Sequence, residues 1–129
     1  MRPSTTLLGV SCLLSGLPAC AATVTEMRRA EQAYEQARFD AARVWLTDLE
    51  DRAPSMDPDL RTDYFYLRGM TEYRLAHRPE AMHYLAVARE LVAEDADALR
   101  AEQRELLERT LAELEPTAPM EHRPRPAAE

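Results

Sequence analysis

Three histidines, two cysteines and a surplus of carboxylates are the side chains of this sequence with chemistry to offer. Their spacing decides what they can do. Metal ligands on a helix need one-turn spacing, and His77 and His83 are six residues apart. His122 stands near the C-terminus among prolines. No His-Glu-x-x-His, Cys-x-x-Cys or Gly-containing acidic loop occurs. Beyond the N-terminal stretch, the candidate nucleophiles are Ser55 and the threonines, with no glycine elbow and no orienting histidine nearby. Carboxylates recur at helical intervals, as at Glu31 and Glu35, which is the habit of a solvated helix face rather than of a tuned acid–base pair. The expectation is a protein without catalytic residues, metal or cofactor, and therefore not an enzyme.

The cysteines point elsewhere. Behind Arg2, residues 7–17 carry no charge and are mostly apolar, the length of a signal-peptide core and too short to cross a bilayer. The run closes on Leu17-Pro18-Ala19-Cys20. This resembles the lipobox of bacterial lipoproteins, although Pro18 departs from the small residue commoner at its position. The resemblance implies a signal peptide over residues 1–19, cleavage before Cys20, a diacylglycerol on its sulfur and a fatty acyl chain such as palmitate on the new amine. Ala21, in place of an Asp, implies sorting to the outer membrane, facing the periplasm. Ordinary secretion is the alternative, since Ala19-Cys20-Ala21 also fits a small-x-small site cut before Ala22. Cys12 is discarded in both cases, so no pair of thiols is left for a disulfide.

A chain of 129 residues holds one small domain. Its formal charge of −7 argues against a nucleic-acid partner, which requires a basic face. All sixteen basic residues are Arg, and only three residues are Gly. Leu, Ala, Glu and Arg dominate beyond the N-terminus, a composition that favours helix over sheet.

Periodicity divides the rest. Residues 20–23 are read as a lipidated tether and 24–115 as the helical domain. Thr23-x-x-Glu26 has the form of a capping box, predicting a helix from about Val24 to Ala37. A second helix covers residues 41–52, with Ala42, Trp45, Leu46 and Leu49 on one side. Residues 53–59 read as a loop, and a third helix starts near Pro58 and runs to Ala76. A fourth begins near Pro79 and carries Ala81, Leu85, Ala88 and Val92 at helical spacing. Asp95 or Asp97 could cap a fifth, whose Leu99, Leu106, Leu107, Leu111 and Leu114 form one seam. The four prolines of residues 116–129 predict a disordered tail.

The chain also repeats. At an offset of 39 residues Ala30 pairs with Gly69, Tyr34 with Tyr73, Ala37 with Ala76, Arg38 with His77, Ala42 with Ala81 and Leu46 with Leu85. Each copy reads as helix, tight turn, helix. Gly69, Tyr73, Ala76, Ala81, Leu85 and Ala88 resemble the tetratricopeptide repeat. That family's period is about 34 residues, so the loop at 53–57 would be an insertion. The resemblance implies an all-α domain of about two helix pairs plus a C-terminal capping helix. A generic five-helix bundle is the alternative.

In such arrays the first helix of each repeat lines a groove for a partner peptide or helix. By that resemblance the first copy offers Met27, Glu31, Tyr34 and Glu35, and the second Asp63, Tyr66, Met70, Tyr73 and Arg74. Tyr, Met and Arg suit a protein interface. The expected function is a non-catalytic envelope lipoprotein, anchored to the membrane through Cys20, that adapts or assembles a protein partner. Such lipoproteins resemble accessory factors of secretion, pilus or motility machines. The second reading is a small helical periplasmic protein, secreted without lipid, that binds a small ligand or peptidoglycan.

Overall fold

The computed structural model of the chain describes residues 17–116. The expected signal-peptide core before residue 17 and the tail from 117 onward lie outside the described residues. Five α-helices follow one another: α1 (Leu17–Glu35), α2 (Phe39–Leu49), α3 (Pro58–Arg74), α4 (Arg78–Glu94) and α5 (Ala101–Leu114). Turns of 3-10 helix over Glu50–Ser55 and Ala96–Ala98 join them, and no strand occurs among the described residues. The fold is all-α, as the composition predicts.

Helices α1 and α2 pack as one pair and α3 and α4 as another. The two pairs turn alike. Ala37 and Ala76 both take the left-handed conformation, at φ 57° and 62°. The amide of Ala37 donates to the carbonyl of Tyr34 (2.9 Å) and that of Ala76 to Tyr73 (3.0 Å). The next amides, of Arg38 and His77, reach back to Ala33 and Glu72, both at 2.9 Å. This is the double reach-back that closes a helix C-terminus, here with Ala where Gly is usual. The paired positions match the 39-residue offset of the sequence.

Small residues let the paired helices approach. Ala30, Ala42 and Ala81 are fully buried, and a side chain on Gly69 would meet Leu85 Cγ at 2.6 Å and the Leu85 backbone nitrogen at 2.9 Å. Two apolar clusters result. Met27, Ala30, Leu46, Leu49, Tyr64 and Leu67 fill one, and Tyr66, Met70, Leu85, Leu107, Leu111 and Leu114 fill the other. Tyr34 and Phe65 touch both. Tyr64, fully buried, donates its hydroxyl to the Leu46 carbonyl at 3.1 Å and so fastens α3 to α2.

Three element boundaries differ from the sequence expectation. Helix α1 starts at Leu17, not near Val24, and so includes the expected tether. The capping box does not form: Glu26 pairs with Arg52 instead, and Arg52 also donates to Thr23 Oγ1. Ala21 and Ala22 are strong helix formers, and Thr25 Oγ1 donates to the Ala21 carbonyl at 2.9 Å. Part of the expected 53–59 loop is helical, because the chain tightens into a 3-10 turn that buries Ala53. Finally, Asp95 caps only a short turn by accepting from the Asp97 amide (3.0 Å). Leu99 is then extended and 2% exposed, and α5 starts at Ala101, where Gln103 accepts from the Arg100 amide at 3.0 Å. Drawing Leu99 into the core takes the first predicted turn away from α5.

Candidate interaction site between α1, α3 and α5

Helices α1 and α3 touch one another, and α5, packed against α4, shares an apolar cluster with α3 through Tyr66 and Met70. A cleft of about 180 Å³ opens where the three converge. From α1 it takes Val24, Met27, Arg28 and Glu31; from α3, Leu60, Asp63, Tyr66 and Leu67; from α5, Gln103. Met27, Glu31, Asp63 and Tyr66 belong to the groove that the tetratricopeptide resemblance implies, and all four line this one cleft.

The remaining expected residues are placed differently. Met70 is 1% exposed and faces the cluster formed with Leu107 and Leu111, so it backs the site and does not line it. Tyr66, Met70 and Arg74 follow one another at intervals of four and share a stripe of α3, but the middle of that stripe packs into the cluster with α4 and α5. Tyr73 is half-buried and donates its hydroxyl to Glu113 Oε2 of α5 at 2.8 Å. Tyr34 is half-buried between the two clusters, edge-on to Phe39 at 5.3 Å. Glu35 and Arg74 are exposed near the C-terminal ends of α1 and α3, outside the cleft. Val24, Arg28, Leu60, Leu67 and Gln103 were not foreseen. Helical spacing does place two of them beside the expected residues, Val24 one turn before Met27 and Arg28 one turn before Glu31. Nothing local announces Gln103, which arrives by tertiary folding.

The polar groups of the cleft are strained electrostatically. Burial, then the negative charges of Glu31 and Asp59, push the Asp63 carboxyl up to about 6, against a smaller opposing pull from Arg100. No ion-pair partner reaches Asp63 among the described residues. Tyr66 is 8% exposed, and its hydroxyl finds no hydrogen-bond partner among the described residues. Burial pushes that hydroxyl up to about 12, so it is neutral at any physiological pH.

A second polar cluster, which the sequence reading overlooked, lies on the opposite flank of α3. The Glu72 side chain is fully buried and meets two guanidinium groups and an imidazole: Arg43 Nε at 3.0 Å, Arg68 Nε at 3.2 Å and His77 Nδ1 at 2.7 Å. The Arg68 approach is off-line for a hydrogen bond, so that contact is Coulombic. Arg68 also donates to Thr47 Oγ1 (2.7 Å) and lies over the Tyr84 ring. Burial would raise the Glu72 carboxyl, but hydrogen bonds from His77 and Arg43 and the charge of Arg68 outweigh it and hold it below its usual value. The cluster joins α2, α3 and the start of α4. Its signal in sequence was a charged residue at the position where the other repeat has Ala33.

No three His, Cys, Asp or Glu side chains among the described residues are grouped to hold a metal. No helix among them is long and apolar enough to cross a membrane. Cys20 is exposed on the first turns of α1, beside an apolar cleft lined by Val24, Met56 and Leu60. Compared with known protein families, with characterised proteins and with solved structures, the chain finds no match.

Proposed function

We propose that this chain is a non-catalytic interaction module of a bacterial envelope, a tetratricopeptide-like lipoprotein that holds a protein partner close to the membrane, probed at the cleft between α1, α3 and α5. The observation that carries the reading is the convergence of Met27, Glu31, Asp63 and Tyr66, from two equivalent helices, on one open site. The matching Ala37 and Ala76 turns support the repeat, and the exposure of Cys20 suits a lipid anchor feeding directly into α1. A cleft of about 180 Å³ is smaller than the roughly 300 Å³ or more typical of small-molecule sites, which favours a protruding side chain of a larger partner.

The test uses a photo-crosslinking residue placed at Glu31 and, as control, at Glu90, exposed on α4. The reading expects one discrete protein crosslinked from Glu31 in living cells and absent from Glu90. Equal or absent crosslinking at the two positions overturns it. Separately, Cys20→Ala is expected to release the protein from the membrane fraction with its thermal unfolding unchanged. Retention of that variant at the membrane, with no lipid label entering the unaltered protein, overturns the anchor.

A further inference from the structure

We infer that the α1/α3/α5 cleft receives a positively charged side chain, arginine or lysine, from the partner segment. This rests on the interaction reading above and specifies its chemistry.

Three observations converge. The first is unmet charge. Asp63 and Glu31 face the same cleft, Asp59 and Asp57 add negative potential from the start of α3, and Asp63 has no ion-pair partner among the described residues. Two cations oppose them: Arg28 also lines the cleft, and Arg100 stands beside it with its Nε on Gln103 Oε1 at 3.2 Å, yet at Asp63 burial and the carboxylates of Glu31, Asp59 and Asp57 outweigh Arg100. A carboxylate crowded by like charges and partly removed from water gains more from a cation than an exposed one does. The second is the Tyr66 hydroxyl. It belongs to a side chain that is 8% exposed and lines the cleft, and it has no hydrogen-bond partner among the described residues. The oxygen itself is not among the buried unpartnered side-chain atoms, so water reaches it through the cleft, and a ligand N–H could take the place of that water. Gln103 lines the α5 side, but its amide oxygen is already taken by the Arg100 backbone N–H and Nε at 3.0 and 3.2 Å. The third is the lining. Met27, Leu60 and Leu67 supply an apolar sleeve beside these acceptors. Long cationic side chains have this same division, an aliphatic stem and a charged tip. The volume of about 180 Å³ suits one such side chain.

The assignment gives the site a pH profile. Below pH 6 Asp63 is neutral and the attraction is reduced; above pH 6 it is charged. Binding of a cation should therefore strengthen as pH rises from 5 to 7. It should also lower the midpoint at which Asp63 titrates.

The experiment follows the full chain by NMR during titration with an acetylated Leu-Arg-Leu amide and with its citrulline counterpart, which has the same shape and no charge. The arginine peptide is expected to move the Met27, Tyr66 and Gln103 resonances, to lower the Asp63 midpoint and to bind roughly tenfold more tightly than the citrulline peptide. Asp63→Asn should erase that preference and flatten the pH dependence, and Tyr66→Phe should reduce it while keeping the ring in the core. If both peptides bind alike at these residues, the charge assignment falls while the interaction reading stands. If neither peptide perturbs the cleft, the cation site is wrong, and crosslinking from Glu31 decides the broader reading independently. If these resonances respond to protein concentration alone, a second copy is the occupant and the inference fails.

Discussion

A carboxyl whose pKa rises from 3.8 to about 6 binds its proton more tightly in the folded chain than in the unfolded one, and this is the position of Asp63. The fold therefore loses stability as pH climbs from about 4 to 6, and above that range the charge costs on the order of 1–2 kcal/mol after allowance for solvent screening. Asp63→Asn is expected to raise the stability measured by urea unfolding at pH 7 by about that amount, with the gain fading toward pH 4. A substitution that stabilises the chain while weakening cation binding is what a site kept for recognition would show. Glu72 has the opposite sign. Its folded carboxyl is held below the ordinary 4.5, so its contribution is present above that pH and is lost as acid protonates it. Glu72→Gln leaves Arg68, 5% exposed, without its counter-charge and should cost about 3 kcal/mol at pH 7 in the same measurement. Neither role is written in the local sequence. Asp63 and Glu72 both look like polar positions on an amphipathic helix, and only their neighbours on other helices separate them.

The two helix pairs share a turn, and the turn was legible because Ala37 and Ala76 fall in register at the 39-residue offset. An L-residue pays a steric penalty in the left-handed region that Gly escapes. Ala37→Gly and Ala76→Gly are each expected to stabilise the chain by roughly 0.5–1 kcal/mol in thermal unfolding, and a loss of stability would mean that the turn is not held as described. Gly69 behaves inversely. Its helix would gain from Ala, but the added carbon would lie 2.9 Å from the Leu85 backbone nitrogen, which cannot yield without moving α4. Gly69→Ala should therefore destabilise by about 1–3 kcal/mol. Helix ends were the least legible elements. Local capping patterns suggested starts at Val24 and at Asp95 or Asp97. Long-range partners prevailed at both, Arg52 taking Glu26 and the core taking Leu99.

Across the whole molecule, the helical architecture was readable because composition, spacing and turn residues agree. On α1 and α3 four residues that the tetratricopeptide resemblance assigns to a groove, Met27, Glu31, Asp63 and Tyr66, meet at the cleft, and one-turn spacing groups them within each helix. The candidate site was unreadable where a third element intervenes. Periodicity shows that Tyr66, Met70 and Arg74 share a stripe, but not that its middle packs into the cluster with α4 and α5, burying Met70, or that α5 brings Gln103 to the cleft.

The continuity of α1 from Leu17 to Glu35 has a mechanical consequence. Cys20 and Glu31 sit on one rod, roughly 16 Å apart along its axis at about 1.5 Å per residue. With Cys20 as the anchor, there is no swivel between attachment and cleft. The site would be presented at a set height and heading above the bilayer. A partner segment reaching it would have to arrive from a direction dictated by how the first turn of α1 meets the lipid surface, so the membrane itself would act as the jig that aligns the encounter.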